Sequence, residues 1–343
     1  MSETQIALAV IPAGVDAAGG HQYWLERRPS GGDFAGMLAL PGGKVAMGET
    51  PLQALARELI EELGIIITQA TLLIEIPWVY PAVPPAEQKH LRFWVYRVDA
   101  WHGQEKNLIH GREGQAVIPV VIDRAQARAI MAQLPAANRG MIAALCLPPR
   151  MAITHPCAFG AAGFEAWLAG LHDMAQTLHA NFKDAALIQL RPQRQLSPLE
   201  WQRAVAVVQA ERVMAWVNAD LATAIACGAD GVHLNRERLF TTTCVAVQAW
   251  QNQNRWVSAA GHNVLEIERA NQLGVDAVLI SPVLPTPSHP EAEGMGWAGF
   301  AALARLAALP AYALGGMSEA RLAEAQAHGA QGIAAIRGYA PPD

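Results

Sequence analysis

The segment GKVAMGETPLQALARELIEELGI (residues 43–65) decides the reading of the first half of the chain. Thr50-Pro51 reads as a helix start, because proline at the first helical position gives up an N–H that has no partner there. Gly64 reads as the stop, since glycine readily takes the left-handed conformation that closes a helix. Between them Leu52, Leu55, Leu59 and Leu63 recur at three- and four-residue steps, which predicts one buried stripe. Glu58, Glu61 and Glu62 fall at i, i+3 and i+4, so three carboxylates crowd one edge of the same helix. They repel one another and sit near the negative end of the helix dipole. A divalent cation would neutralise them, and Mg2+ suits the task because it takes hard oxygen ligands and shares its shell with substrate phosphates. The Gly42-Gly43 turn lets backbone come close to a metal or a phosphate chain, and Arg57 is placed to brace the loop by pairing with Glu49. A solvated helix face is the ordinary alternative for such a glutamate run.

Outward from this helix, apolar alternation in IALAVIPAG (6–14) and HLRFWVYRV (90–98) predicts strands on either side. Leu147-Pro148-Pro149-Arg150 then ends the helical pattern before it and stiffens the connection, so the chain is divided into residues 1–147 and 151–343. Beyond the seam short β-like runs alternate with Ala-rich helical stretches. The runs are MAITH (151–155), ALIQL (186–190), VMAWV (213–217), GVHL (231–234), RWVSAA (255–260), AVLIS (277–281), AYALG (311–315) and GIAAI (332–336). Repeated βα units imply a parallel sheet, and this number predicts a small closed (β/α)8 TIM barrel, with a doubly wound open sheet as the competing form.

The 343 residues, 36.7 kDa in all, are 52% hydrophobic and 16% charged, which argues against disorder and leaves enough apolar mass for a core in each half. No apolar run approaches the roughly 18 residues of a membrane span, and the N-terminal MSETQIALAV lacks the basic region of a signal peptide. A net charge of −5 without a Lys/Arg cluster argues against polymeric nucleic acid as partner. Cys146, Cys157, Cys227 and Cys244 show no CxxC spacing, as expected of reduced thiols in a cytoplasmic protein.

The stretch from Gly43 to Ile65 matches the pattern G-x5-E-x7-R-E-U-x-E-E-x-G-U (U, bulky apolar) at every fixed position, and so resembles the box of the Nudix hydrolases. The resemblance implies an α/β/α sandwich with a mixed sheet over residues 1–147 and Mg2+- or Mn2+-assisted hydrolysis of a nucleoside-diphosphate-linked substrate. It makes Glu58, Glu61, Glu62 and the Gly42 carbonyl metal ligands, with Glu58 and Glu61 also in catalytic roles, and places Lys44 on phosphate. The MutT branch, which cleaves 8-oxo-dGTP to the monophosphate and pyrophosphate, is the most similar. LPGGKVAMGETP, HLRFWVY, GREGQ (111–115) and LPAANRGMIAAL (134–145) all look like MutT segments in the same order. By that resemblance Glu113 is a further metal ligand or general base, Asn138 reads the purine edge, and Arg28 and Lys89 contact the nucleotide. Without the resemblance, Glu113 is a loop glutamate and Asn138 a helix N-cap. The substrate-facing run Ala39-Leu40-Pro41-Gly42 departs from the branch, with leucine where an aromatic is expected and alanine where an acid is expected.

Residues 151–340 resemble thiamine phosphate synthase and its TenI-like relatives in LIQLR (187–191), GADGVHL (228–234), GHNVLEIERA (261–270), SPVLPTPSH (281–289), ALGGM (313–317) and GAQGIAAIRG (329–338). The resemblance implies a phosphate site, for which Arg191, Gly315, Gly316 and Gly338 are the candidates; plain turn glycines are the ordinary alternative. The synthase pattern is eroded. Gln193 stands at a lysine position, Asn218-Ala219 at an Asn-Asp pair, Arg238 at a metal-binding aspartate and His289 at a pyrophosphate-binding lysine; His233 and His262 are retained. Losing carboxylates and gaining a guanidinium argues against a Mg2+-pyrophosphate site. The expected protein is a MutT-like nucleotide pyrophosphohydrolase acting in nucleotide-pool sanitation and DNA repair. Its barrel makes no thiamine phosphate, and either holds a small phosphorylated ligand or only supports the hydrolase. A Nudix enzyme of thiamine-pathway pyrophosphates, and a barrel sensing a phosphorylated metabolite, are the alternatives.

Overall fold

The computed structural model describes residues 3–31, 34–82, 88–105, 108–285 and 293–339. The chain divides into two compact units, Met1–Cys146 and Leu147–Asp343.

The first unit is built on a mixed sheet. Its strands are β1 (Thr4–Val15), β2 (His21–Arg27), β3 (Leu38–Ala39), β4 (Gly42–Lys44), β5 (Ile66–Tyr80), β6 (Lys89–His102) and β7 (Ala116–Val121). They run in the order β3-β2-β1-β6-β5, with β4 also paired to β1 and β7 to β2. Only β1 and β6 are parallel; the remaining pairs are antiparallel. Alternation along β1 sorts its side chains: Ala7, Ala9 and Ile11 join the cluster formed with helix α1 (Pro51–Leu63), while the equally buried Leu8 and Val10 belong to the opposite face. Two further helices, α2 (Ala127–Met131) and α3 (Arg139–Cys146), complete the unit.

Helix α1 starts and stops where the sequence predicts. Thr50 caps it in a reciprocal box with Gln53, Pro51 opens it, and Gly64 closes it at φ 62°, ψ 32°. Its buried stripe differs from the expected one. Leu55, Leu59 and Leu63 are fully buried, but Leu52 is 41% exposed and Ala54 takes the fourth place. Leu52 shares the azimuth of Leu59 and Leu63 but stands in the first turn, at the end of the stripe.

The second unit is a closed barrel of eight parallel strands: β8 (Arg150–Ile153), β9 (Ala186–Leu190), β10 (Met214–Val217), β11 (Gly231–Leu234), β12 (Trp256–Ala260), β13 (Ala277–Ile280), β14 (Ala311–Leu314) and β15 (Gly332–Ala335). β15 pairs with β8 and closes the ring, so the open-sheet alternative is excluded. Outward-facing Ile188, Leu190, Val232, Leu234, Val257, Val278 and Ile280 pack with helix residues such as Trp201, Val205, Leu273 and Phe300. The alternate positions, among them Gln189, Trp216, His233, Ser258 and Tyr312, fill the lumen. Gly231 is required there: a Cβ would come within 2.5 Å of the indole of Trp216, its register partner on β10. The seam is tied to this unit, since the Tyr312 hydroxyl donates to the Pro148 carbonyl (2.5 Å) and Gln331 Nε2 to that of Leu147 (2.8 Å). No described helix is long and apolar enough to cross a membrane.

Candidate active site

Two adjacent glycines bring α1 and β4 together, each for a different reason. Gly42 has φ +128°, and a Cβ on it would stand 2.2 Å from the carbonyl oxygen of Ala7 on β1. At Gly43 a Cβ would instead enter the carboxylate of Glu58, 2.3 Å from its Cδ. The close approach made possible by Gly42-Gly43 is thus an approach of the chain's own sheet and helix. The Gly42 N–H donates to Glu62 Oε2 at 2.9 Å, which fixes the last glutamate of the helix to the strand.

Arg57 organises the remaining carboxylates. Its Nε and Nη2 hold both oxygens of Glu49 (2.8 and 3.1 Å), its Nη1 reaches Glu58 (2.9 Å) and Glu61 (3.3 Å), and Nη2 also donates to the Lys44 carbonyl (3.1 Å). Glu49 additionally accepts from Ala46 N–H (3.0 Å), closing the loop on itself. The hydrogen bond from Arg57, with that from Ala46, holds the Glu49 carboxyl down to about 2. The expected brace between Arg57 and Glu49 is therefore present, and it extends to two of the three helix carboxylates.

A loop from the far side of the helix completes the cluster. Arg112 N–H and Gln115 Nε2 both donate to the Glu62 carbonyl (2.8 and 3.3 Å), and Gln115 Oε1 accepts from Glu113 N–H (2.9 Å). Gln104 pins the loop's entry by bridging the Leu63 and His110 carbonyls. Glu113, itself exposed, is thereby brought within electrostatic reach of Glu62 and of Glu26 on β2. Burial pushes the Glu62 carboxyl up to about 8, helped by the charges of Glu26, Glu58 and Glu113. Burial likewise raises Glu26 to about 7, with Glu113 adding and Arg28 opposing. Glu26 was not visible as a site residue in the sequence. Its one signal is a glutamate inside the otherwise strand-like HQYWLER, whose side chain follows buried Trp24 on the same face.

Among the described residues no three His, Cys, Asp or Glu side chains converge tightly enough to hold a metal ion by themselves. Arg57 draws Glu58 and Glu61 toward itself while Glu62 is anchored to Gly42. The donor set nevertheless fits a hard divalent cation. It offers hard carboxylate oxygens, and Glu62, raised chiefly by burial, also carries the repulsion of Glu26, Glu58 and Glu113.

The other expected contacts are distributed around this cluster. Lys44 is exposed at the end of β4, and Lys89 is exposed at the start of β6. Arg28 follows β2 and acts on Glu26. Asn138 ends the 3-10 turn Ala136–Asn138 and is buried to 5% exposure; its amide N–H bonds to the Pro135 carbonyl. Ala39, Leu40 and Pro41 are buried, Leu40 to 1%, so the leucine is a core side chain and offers no open face to a base.

In the barrel the candidates separate. Arg191 lines a cavity of about 880 Å3 beside the ends of β9, β10 and β11, whereas Gly315, Gly316 and Gly338 lie outside it. Gly315 (φ +101°) and Gly316 (φ +69°) face Pro282 and Leu284, within 3.1 Å of a would-be Cβ, and Gly338 approaches the Met317 carbonyl. These contacts account for all three glycines by chain packing. His289 lies outside the described residues.

Comparison with known proteins agrees with this division. The NUDIX domain family matches residues 8–144, and the thiamine monophosphate synthase family matches residues 169–339. The first unit is 33% identical over 115 residues to the 8-oxo-dGTP diphosphatase of Escherichia coli, covering 34% of this chain and 78% of that protein. The second is 32% identical over 161 residues to the thiamine-phosphate synthase of Listeria welshimeri, covering 45% and 73%. The chain belongs to the Nudix family in its first unit and to the thiamine monophosphate synthase family in its second. The Haemophilus influenzae 8-oxo-dGTP diphosphatase is 45% identical over 94 residues, 27% of this chain, and the match spans 62% of that protein, less than two thirds of its length. Nudix membership makes the first unit a hydrolase acting on acid anhydrides.

Proposed function

We propose that the first unit is a Mg2+-dependent nucleoside triphosphate pyrophosphohydrolase that takes 8-oxo-dGTP to 8-oxo-dGMP and pyrophosphate. The observation that carries this reading is the run of carboxylates along one helix edge: Glu62 is held by the Gly42 N–H, Glu58 and Glu61 by Arg57, and Glu113 lies on a loop tethered to the same helix through Gln115. Glu58, Glu61, Glu62, Glu113 and the Gly42 carbonyl would hold Mg2+, or Mn2+. When bound, the cation polarises phosphoryl oxygens and lowers the pKa of a water.

The chain's own groups do the rest. Glu113, exposed and held only through its backbone, is the mobile carboxylate suited to accept a proton from the attacking water. Glu58 and Glu61 are poised by Arg57, so they are presented without free rotation. The exposed Lys44 ammonium meets phosphate oxygens as a flexible point charge, and Arg28 and Lys89 contact the nucleotide. Asn138 can donate and accept at once, which matches the lactam-like edge of an oxidised purine. Names of the relatives point to the same substrate. The barrel contributes no synthase chemistry, because among the described residues Asp220 is the one carboxylate lining the cavity beside β9, β10 and β11, and Arg238 lines it too.

Pyrophosphate release in the presence of Mg2+ tests the reading, with 8-oxo-dGTP, dGTP, the other dNTPs, thiamine pyrophosphate and hydroxymethylpyrimidine pyrophosphate as substrates. The expected result is selective turnover of 8-oxo-dGTP that EDTA and Glu62→Gln both abolish. Preference for a thiamine-type pyrophosphate would overturn the nucleotide assignment while leaving the hydrolase intact.

A further inference from the structure

The barrel family implies a site for Mg2+ and pyrophosphate, and the residues of this chain do not fit it. The cavity beside β9, β10 and β11 has one lining carboxylate, Asp220. Both Asp220 oxygens are engaged as a helix cap, accepting from Thr223 N–H (2.8 Å) and from the Thr223 hydroxyl (3.1 Å). Asn235 is likewise consumed, capping the next helix by accepting from Arg238 N–H (3.0 Å). Among the described residues no free carboxylate is left in this lining to hold a divalent cation.

What the cavity offers instead is guanidinium. Of its three arginines, Arg194 is engaged by Glu200 (2.7 Å) and by the Gln195 carbonyl (2.9 Å). Arg238 gives one N–H to Asn218 Oδ1 (3.1 Å) and lies within electrostatic reach of Asp220, whose oxygens are taken by Thr223. Arg191, half-buried, has a side chain that pairs with no carboxylate among the described residues. Both Arg191 and Arg238 act on the buried His233 beneath, which is hydrogen-bonded to Ser258 Oγ at 3.0 Å. Burial and these arginines push His233 down to about 3, so the floor stays neutral and adds no third cation.

We propose that this mouth binds an organic phosphate monoester directly through Arg191 and Arg238, with no divalent cation. A phosphate monoester is a tetrahedral dianion near neutral pH, and two forked guanidiniums match both its charge and its several acceptor oxygens. A carboxylate offers fewer acceptor oxygens and less charge, and so matches two forked guanidiniums less fully. The volume of about 880 Å3 exceeds what a bare phosphate fills, and the side chains of Leu196, Trp201, Ala219 and Ala222 supply an apolar wall for the organic part. The Arg238 guanidinium thus takes over the charge-balancing role of a cation, which makes the loss of carboxylates around it a change of ligand class. This inference does not depend on which substrate the first unit hydrolyses.

Calorimetric titration of the full chain in EDTA tests it, with phenyl phosphate as probe and inorganic phosphate and benzoate alongside. Phenyl phosphate is expected to bind saturably, at least tenfold more tightly than benzoate and more tightly than inorganic phosphate. Replacing EDTA by Mg2+ should not change its affinity. Arg191→Gln and Arg238→Gln should each weaken it at least tenfold while hydrolysis by the first unit is retained. Arg191→Gln keeps the test sound should Arg238→Gln unfold the barrel, because Arg191 has no side-chain partner there to lose. Absence of saturable phenyl phosphate binding, binding that survives both substitutions, or binding that appears only with Mg2+ would each overturn the proposal.

Discussion

Gly42 and Gly43 adjoin in sequence, yet alanine at the two positions should fail in different ways. At Gly42 the obstacle is backbone: φ is +128° and the methyl would stand 2.2 Å from the Ala7 carbonyl oxygen. Neither partner can turn aside, since Ala7 is paired within the sheet and the next bridge, Ala9 N–H to the Pro41 carbonyl at 2.8 Å, locks the same segment. Strain at a non-glycine residue held in this region and overpacking each cost about 1–3 kcal/mol, so Gly42→Ala should lose roughly 4 kcal/mol. For a unit of this size that lowers the melting temperature by about 8–16 °C. At Gly43 the obstacle is the Glu58 carboxylate, 2.3–2.6 Å from the methyl, and a side chain can move. Moving it strains one charge-assisted bond to Arg57, half-exposed, which is worth about 1 kcal/mol or less. The carboxylate must nevertheless retreat by about 1 Å, a displacement that costs on the order of 100-fold in turnover when a catalytic group is involved. Scanning calorimetry and pyrophosphate release on the two variants separate these effects. Gly43→Ala should melt within a few degrees of the parent with almost no activity; Gly42→Ala should melt far lower. If Gly43→Ala kept more than half of the parent kcat/KM, Glu58 would have no part in the chemistry. If both variants lost stability equally, the distinction drawn from the two contacts would be wrong.

Arg57→Ala should lower kcat/KM at least tenfold with little change in melting temperature, since it frees Glu58 and Glu61 but its ion pairs are partly exposed and individually weak; steady-state kinetics beside calorimetry would show it. Gly231→Ala should destabilise the barrel by about 1–3 kcal/mol through overpacking against Trp216, read as a lower urea midpoint for the second unit. His233 gives the barrel a pH dependence. Its folded pKa of about 3 lies below the ordinary 6.5, so between these values the unfolded chain takes up a proton that the folded one refuses. Barrel stability should therefore fall as pH drops below about 6.5, by at most ~1.4 kcal/mol per pH unit, until the folded state also protonates near pH 3. Urea unfolding at pH 7, 5.5 and 4.5 should show the stability of the parent falling relative to that of His233→Asn toward acid, and a constant difference would refute the assignment.

Much of the architecture was legible because local and global signals agree. ALIQL and GVHL are strands with the predicted limits, and the other barrel runs differ from theirs by a residue or two at the ends. The repetition of short apolar runs and helical stretches carries the barrel, since only closure leaves no strand edge among so many parallel segments. Leu52 shows the limit of periodicity: it keeps the i, i+3 step to Leu55 but sits at the helix's first turn and is 41% exposed. Leu40 shows another limit. The resemblance to the MutT branch placed it against a ligand, whereas its own apolarity places it in the core at 1% exposure.

In the site, the spacing rules identified charges but not their partners. Glu58, Glu61 and Glu62 are readable as one edge of a helix because i, i+3 and i+4 positions adjoin in any helix. Arg57 meets Glu61 at the local i, i+4 step, but that the Gly42 N–H takes Glu62 depends on where β4 meets the helix, a tertiary fact with no local trace. Glu26 was hidden for the same reason: it lies 36 residues before Glu62, and only the pairing of β2 with β3 and β7 turns it toward the cluster. In the barrel the asymmetry reverses. The absence of carboxylates could be read position by position, but the remaining one could not be assigned until Asp220 was found capping a helix through Thr223. The two sites thus handle phosphate charge by opposite means on one chain, an excess of carboxylates that calls for a cation and an excess of guanidinium that needs none. A chelator should therefore silence the first site and leave the second unaffected.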